Sequence, residues 1–181
     1  RMRAGIAAAP DGVYHGHAAI DDDGTSEAPV HIHCTITIKG DELEVDFDGT
    51  DAQVATNINC PFASCLASAL SCVKSVISAP DIPFNEGVKR PVTVKAPFGS
   101  ILNPRPPAPV RARLLPAYRA YNAVMDALAK AVPAQVIAPG YDTTTSFCLA
   151  HLGEKGYSVY LEIFGGGYGA GAGNDGCDAV D

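Results

Sequence analysis

Apolar and polar residues alternate most cleanly between Val30 and Asp48. Ile32, Cys34, Ile36 and Ile38 interleave with His31, His33, Thr35, Thr37 and Lys39. After Gly40-Asp41, Leu43, Val45 and Phe47 interleave with Glu42, Glu44, Asp46 and Asp48. A period of two puts each set on one face of a strand, and two such runs around a two-residue Gly-x loop predict a β-hairpin. Pairing Lys39 with Glu42 sets its register. Ile38 then faces Leu43, Ile36 faces Val45 and Cys34 faces Phe47 on the buried side, while Thr37–Glu44, Thr35–Asp46 and His33–Asp48 lie on the other. A slip of one residue would carry the acids into the core, so this register is strongly specified.

Weaker alternation predicts a strand over Val13–Ile20, with Val13, His15, His17 and Ala19 on one face, and short strands at Pro91–Lys95 and Gln53–Asn59. Ser146–Leu152 and Tyr157–Phe164 form a second hairpin around Gly153-Glu154-Lys155-Gly156. Twice the period lengthens to that of a helix. Phe62, Leu66, Ala69, Leu70, Val73 and Ile77 mark a helix that opens at Pro61 and stops at Ala79-Pro80. Its other face carries Ser64, Ser68, Ser71 and Ser75, small enough for burial on more than one side. Tyr118, Tyr121, Val124, Met125, Leu128 and Val132 mark a helix from about Leu115 to Val132, with Pro116 in its first turn and Pro133 at its end. Residues 1–9 read as the last turns of a helix closed by Pro10. The fold class is α+β: antiparallel hairpins and a mixed sheet packed with two long helices. No repeat and no convincing domain boundary divides 1–181. The opening residues lack a helix-start signal and nothing closes the chain after Asp178, so a segment of a larger subunit is expected.

Composition narrows the function. A chain of 181 residues buries roughly 70% of its unfolded surface on folding, enough for one sizeable core or two small ones. The net charge of −7 argues against nucleic acid, which requires a basic surface. No run approaches the roughly 18 apolar residues of a membrane span, and Arg1-Met2-Arg3 leads into no secretory pattern. Cysteines stand at 34, 60, 65, 72, 148 and 177, with no Cys-x-x-Cys and no zinc-finger spacing. They read as reduced, buried thiols of a cytoplasmic protein.

Four stretches carry candidate chemistry. Asp21-Asp22-Asp23-Gly24 is either a solvated turn or a backbone-anchoring or cation-binding loop. His31-Ile32-His33 places two imidazoles on one strand face at a zinc-ligand spacing. That face also carries Thr, Lys and acids in register, which favours solvated or ion-paired histidines, and no metal ligand is assigned. Asn103-Pro104-Arg105-Pro106-Pro107-Ala108-Pro109 is extended and reads as a linker; an anion contact at the flanking Arg105 and Arg111 is the alternative. Finally, seven of the twelve residues from Gly165 to Gly176 are Gly, a loop delivered by the strand ending at Phe164. Gly165-x-Gly167-x-x-Ala170 matches a dinucleotide fingerprint in form, but Ala172-Gly173-Asn174-Asp175-Gly176 cannot begin the helix that a pyrophosphate needs. The chain has neither a P-loop nor a Gly-x-Ser-x-Gly elbow.

Pro10-Asp11-Gly12-x-Tyr14 and Asp21-Asp22-Asp23-Gly24 open a series of short motifs. Val45-Asp46-Phe47-x-Gly49-Thr50 with Gln53 follows, then Asn57-Ile58-Asn59, Asp81-Ile82-Pro83-x-Asn85-x-Gly87 and Arg90-Pro91. Next come Pro97-x-Gly99-Ser100-x-Leu102-Asn103-Pro104 and Pro107-Ala108-Pro109-Val110. Asp126 with Lys130-Ala131-x-Pro133, and Gly165-Gly166-Gly167-Tyr168-Gly169-Ala170 with Asp175-Gly176, complete the series. In this order, over about residues 10 to 180, they resemble the hydantoinase B/oxoprolinase family. The resemblance implies the central-to-carboxyl portion of a large subunit that works with an ATP-binding, hydantoinase A-like subunit. Such assemblies open cyclic amides such as 5-oxoproline or N-methylhydantoin at the expense of ATP. Relatives include the α-type subunits of acetone and acetophenone carboxylases. ATP and Mg belong on the partner, and a divalent metal in an amino-terminal part that these residues do not include. Two alternatives stay open: part of a ketone carboxylase, or a non-catalytic scaffold that docks the partner. Catalytic residues are unassigned. Asp48, Asn57, Asn59 and the backbone of Gly165, Gly166, Gly167 and Gly169 are the candidate substrate contacts, with turn capping and packing as their competing roles.

Overall fold

A computed structural model describes residues 1–142, 145–154 and 156–178. Contacts within it cluster into two compact units, Arg1–Val136 and Ile137–Asp181, a division that the sequence did not announce. The fold class is the expected α+β. In the first unit α1 (Met2–Ala7) precedes β1 (Gly12–Ile20), β2 (Val30–Lys39) and β3 (Glu42–Asp46). After a loop come α2 (Phe62–Ile77), the single turn α3 (Glu86–Lys89), β4 (Val92–Lys95), α4 (Leu114–Ala131) and a 3₁₀ turn at Pro133–Gln135.

The sheet runs in the order β1-β2-β3-β4, antiparallel except for the parallel β3–β4 pair. Lys39 pairs with Glu42, Ile38 with Leu43, Ile36 with Val45, Thr37 with Glu44 and Thr35 with Asp46, as the pattern predicts. The ladder then stops short of the two further expected pairs. Asp48-Gly49 loops out, with the Asp48 N–H bonded to Asp46 Oδ1 at 3.0 Å and Gly49 at φ +84°. Thr50 takes the place of Asp48 beside His33: its hydroxyl accepts from His33 N and donates to His33 O, both at 3.1 Å. Phe47 N instead bonds to Lys95 O, on the β4 side. Cys34 and Phe47 are both buried, but not as a ladder pair.

One sheet face builds the core. Ile32, Cys34, Ile36, Ile38, Leu43, Val45 and Phe47 are at most 2% exposed, and α4 packs over β1 and β2 while α2 packs against α4 and β4. The face of α4 that does this is chiefly Ala117, Ala120, Ala123, Val124, Ala127 and Leu128, whereas Tyr118 and Tyr121, in the expected stripe, are half-exposed. Small side chains let the helix approach closely. A Cβ at Gly16 of β1 would lie 1.9 Å from Ala123 O. On α2, Ser64 and Ser68 are half-buried, Ser68 Oγ donating to Ala117 O at 2.7 Å, but Ser71 and Ser75 are exposed. Burial on more than one side therefore holds for only part of that helix. Gln53–Asn59 is a loop and not a strand; Ala52 alone forms a bridge, to Ser100. Cys34, Cys60, Cys65 and Cys72 are buried free thiols, while Cys148 and Cys177, expected inside, are exposed.

The outer edge of β1 is capped by α4. Asp126 Oδ2 accepts from His17 N at 3.1 Å, and Lys130 Nζ donates to His15 O and to Asp126. A free strand edge invites pairing with another chain, and these side chains occupy it.

The second unit holds β5 (Thr145–Gly153) and β6 (Gly156–Phe164), an antiparallel hairpin, and the short pair β7 (Gly167–Tyr168) with β8 (Cys177–Asp178). Among the described residues no helix is long and apolar enough to cross a membrane.

Candidate functional site

The loop following β1 and the loop preceding α2 meet beside the start of α4. Each is fixed by side-chain-to-backbone bonds. Asp22 Oδ1 accepts from Gly24 N at 2.7 Å. Asp23 Oδ1 accepts from the N–H and hydroxyl of Thr25 and from the N–H of Ser26, each at 2.8 Å. These donors, Thr25 N–H first, hold the Asp23 carboxyl down at about 2. Of the readings open for this acidic turn, the bonds observed are those of backbone anchoring.

Asn59 does the same for the second loop. It is fully buried. Its Oδ1 accepts from Val54 N at 2.9 Å, and its Nδ2 donates to Val54 O, Thr56 O and Pro109 O at 2.9 to 3.0 Å. All its polar atoms are engaged within the protein. Asn57 is its opposite. The backbone oxygen of Asn57 accepts from Ala112 N at 2.9 Å, while its side chain is exposed and has no hydrogen-bond partner among the described residues.

Asn57 lines an open recess of about 630 Å³ with Asp22, Asp23, Thr56, Pro109 and Leu115. Asp22 and Leu115 also line an adjoining recess of about 410 Å³ that reaches Asp21 and Arg119. Thr56 Oγ1, shut off from solvent at the margin of this groove, has no hydrogen-bond partner. The groove thus offers a free amide able to donate and accept, carboxylates that accept, and an apolar wall at Pro109 and Leu115. That set suits a small polar ring that carries both a carbonyl and an N–H. The acidic turn, Arg119 and Thr56 were not nominated for this groove by the sequence, because the loops that join here are well separated along the chain and share no periodicity.

The other candidates lie elsewhere. Asp48 is exposed at the looped-out end of β3, and Thr50, not Asp48, meets His33. In the second unit the glycines approach their own protein. A Cβ at Gly166 would lie 1.9 Å from Tyr141 Cγ, at Gly167 2.3 Å from Cys177 O, and at Gly169 2.4 Å from Ala138 O. Gly167 also takes φ +110°. Gly165 is half-buried at the head of the same loop. At Gly166, Gly167 and Gly169 the loop packs against its own protein, while the space beside Gly173 is open.

Three histidines gather on the solvent face of the sheet, where β1 and β2 bring His17 opposite His33 and next to His31. His17 Nε2 and His31 Nδ1 share a hydrogen bond of 3.1 Å, and the His17 and His33 ring centroids are 4.9 Å apart. Among the described residues, no three His, Cys, Asp or Glu side chains are arranged to hold a metal ion.

The family model described as Hydantoinase B/oxoprolinase matches residues 1–181. The B component of a D-/L-hydantoinase of Pseudomonas sp. (strain NS671), so named provisionally, is 33% identical over 190 aligned positions, covering 99% of this chain and 32% of the relative. The crystal structure of the ATP-dependent caprolactamase from Pseudomonas jessenii superposes with a TM-score of 0.86 at 27% identity, over 98% of this chain and 31% of that one. Acetone carboxylase in its nucleotide-free form shares the fold, with a TM-score of 0.76 at 18% identity over 97% of this chain and 26% of that one. The chain therefore spans about a quarter to a third of the length of these relatives.

Proposed function

Because the chain belongs to the hydantoinase B/oxoprolinase family, we propose that it is part of a subunit that opens cyclic amides of the hydantoin or 5-oxoproline type, coupled to ATP. The family comprises ATP-dependent hydantoinase, oxoprolinase and caprolactamase subunits. The observation that carries the reading is the match of the family model to every residue of the chain. The groove beside Asn57 supports it chemically. The Asn57 amide N–H is free to meet a ring carbonyl, and the Asp22 carboxylate to accept from a ring N–H, which fixes the orientation of a lactam or hydantoin.

ATP and Mg are assigned to a hydantoinase A-like companion subunit, where nucleotide would activate the amide oxygen, and any divalent metal to residues outside these 181. The groove residues do neither; they bind and orient the ring. A ketone carboxylase is the second reading, supported by the shared fold with acetone carboxylase. A purely scaffolding segment is the third.

The test is turnover by the full protein with its companion. ATP-dependent ring opening of 5-oxoproline or hydantoin is expected, and Asn57→Ala should lower kcat/KM about tenfold to a hundredfold, the effect of losing one orienting hydrogen bond. Consumption of acetone that requires ATP and bicarbonate, with no ring opening, would establish the carboxylase instead. Activity of the 181-residue chain alone would refute the scaffold reading.

A further inference from the structure

We propose that His17 Nε2 and His31 Nδ1 form a chelate for a divalent transition-metal cation such as Zn²⁺ on the solvent face of the sheet. The inference stands apart from the activity proposed above, which places no metal on these residues.

Four of the chain's five histidines lie on this one face, His15 and His17 on β1 and His31 and His33 on β2, so the face concentrates imidazole well beyond the chain's average. The register sets His17 directly opposite His33 and sets His31 opposite Ala19. His17 therefore meets one histidine across the ladder and the other on the diagonal. Each backbone is held by a side chain from another segment. Asp126 Oδ2 accepts from His17 N at 3.1 Å, Asp51 Oδ2 accepts from His31 N at 2.7 Å, and Thr50 Oγ1 bonds both backbone groups of His33. The rings of His17 and His33 are exposed and that of His31 is half-buried. Ligands carried on paired strands are placed more precisely than ligands on loops.

The spacing of the two nitrogens is that of two ligands on one ion. His17 Nε2 and His31 Nδ1 are 3.1 Å apart. Nitrogens about 2.0–2.1 Å from a zinc ion stand about 2.9 Å apart at a right angle and about 3.3 Å apart at the tetrahedral angle. The observed separation falls between these, so a cation can enter without moving either strand. Because the two nitrogens share a hydrogen bond, one of them already presents a lone pair to the gap. The other does so once its proton passes, through solvent, to the far nitrogen of its own ring. Two nitrogens converge here and not three, so water completes the coordination sphere. The His33 ring, with its centroid 4.9 Å from that of His17 and no hydrogen-bond partner among the described residues, can displace one of those waters by rotating.

A hydrogen bond alone does not account for the cluster, since between exposed groups it stabilises little. Imidazole suits zinc, copper and nickel, whereas Mg²⁺ and Ca²⁺ take oxygen ligands. The surroundings favour a cation. Asp51 lies against the His31 backbone, Asp46 pairs with Thr35 one step along the ladder from His33, and the chain carries a net charge of −7. None of the four histidines stands in the motifs that resemble the family, so the site belongs to this chain rather than to the family's shared chemistry. The sequence shows only His31-x-His33. The nitrogen that meets His31 arrives from β1.

The test is titration of the full protein, stripped of metal, with Zn²⁺ by isothermal titration calorimetry. The wild type is expected to bind one equivalent more than His17→Ala or His31→Ala, each of which should weaken that site at least about a hundredfold. His15→Ala, whose Nδ1 is bonded to Thr35 Oγ1 at 3.1 Å, should keep the affinity within about twofold, and Mg²⁺ should not compete. His17→Gln separates lost metal binding from lost structure. Its amide can still hydrogen-bond to His31 but is a poor zinc ligand, so it should keep the wild-type unfolding midpoint and lose the extra equivalent. The same stoichiometry in wild type, His17→Ala and His31→Ala would overturn the chelate, whether the rings fail to bind or other parts of the subunit cover them. Zinc retained by His17→Gln would also overturn it. Competition by Mg²⁺ would overturn it in favour of an oxygen-ligand site.

Discussion

Replacing Asn59 with Ala is the sharpest test of how the groove is built. The side chain is fully buried and touches four backbone groups: Val54 N, Val54 O, Thr56 O and Pro109 O. Its amide nitrogen has only two protons for three acceptors, so the substitution removes about three hydrogen bonds' worth of interaction. A net contribution of about 1 kcal/mol each, with a further cost for backbone groups left without partners in a buried place, gives a loss of about 3–5 kcal/mol. With a urea m-value of about 2 kcal/mol/M, the unfolding midpoint should fall by roughly 1.5–2.5 M. The assay is urea denaturation followed by helical circular dichroism, which reads α2 and α4. Thr56 and Pro109, two of the anchored segments, line the groove, so substrate affinity should fall with stability. A midpoint shift below about 0.5 M, corresponding to about 1 kcal/mol or less, would refute the account of Asn59 as the tie between these loops.

Gly16→Ala should cost about 3 kcal/mol or more, because the new Cβ would meet backbone atoms of α4, Ala123 O at 1.9 Å and Ala127 N at 2.7 Å, and only movement of the whole helix relieves it. The same denaturation assay reads it. Hydrogen bonds from Thr25 and Ser26 lower the Asp23 carboxyl from 3.8 to about 2. A depressed carboxyl contributes stability that is fully present above pH 3.8 and is lost as pH falls through about 2. Asp23→Ala should therefore flatten the acid limb of a stability–pH curve between those values. Thiol labelling of the native protein should modify Cys148 and Cys177 quickly and spare the other four. Burial pushes Cys34 and Cys60 up to about 12 and raises Cys65 and Cys72 as well, leaving almost no thiolate at neutral pH.

The β2–β3 register was readable because one face of the hairpin is buried and a slip would be costly. It ceased to be readable at Asp48, where a threonine hydroxyl satisfies the same backbone groups that a ladder residue would. The helical face of α4 was hidden because Ala serves a core or a surface equally well, so its tyrosines looked more decisive than they are. Asn57 and Asn59 looked equivalent in alternation. The loop conformation turns one outward and the other fully inward. The glycine run announced a loop through composition alone, but which atoms its glycines approach depends on Tyr141, Ala138 and Cys177, none of them a near neighbour in the chain of the glycine it meets. The gathering of His17 with His31 and His33 required the β1–β2 register, which sequence alternation in β1 does not supply.

A division of labour among the family-like residues follows from where their polar atoms go. Asn59, Gln53, Asn103, Asp126 and Lys130 direct theirs to the protein's own backbone. Their substitution should therefore appear first as lost stability, with activity falling only as the fold does. Asn57 keeps its side chain turned outward from a backbone that is otherwise tied down. Its substitution should leave the unfolding free energy within about 0.5 kcal/mol of wild type, as for surface positions generally. It should nevertheless impair turnover. Measuring stability and kcat/KM on the same set of variants separates the two classes. A destabilised Asn57→Ala, or an Asn103→Ala as stable as wild type, would show that outward and inward polar groups are not divided in this way.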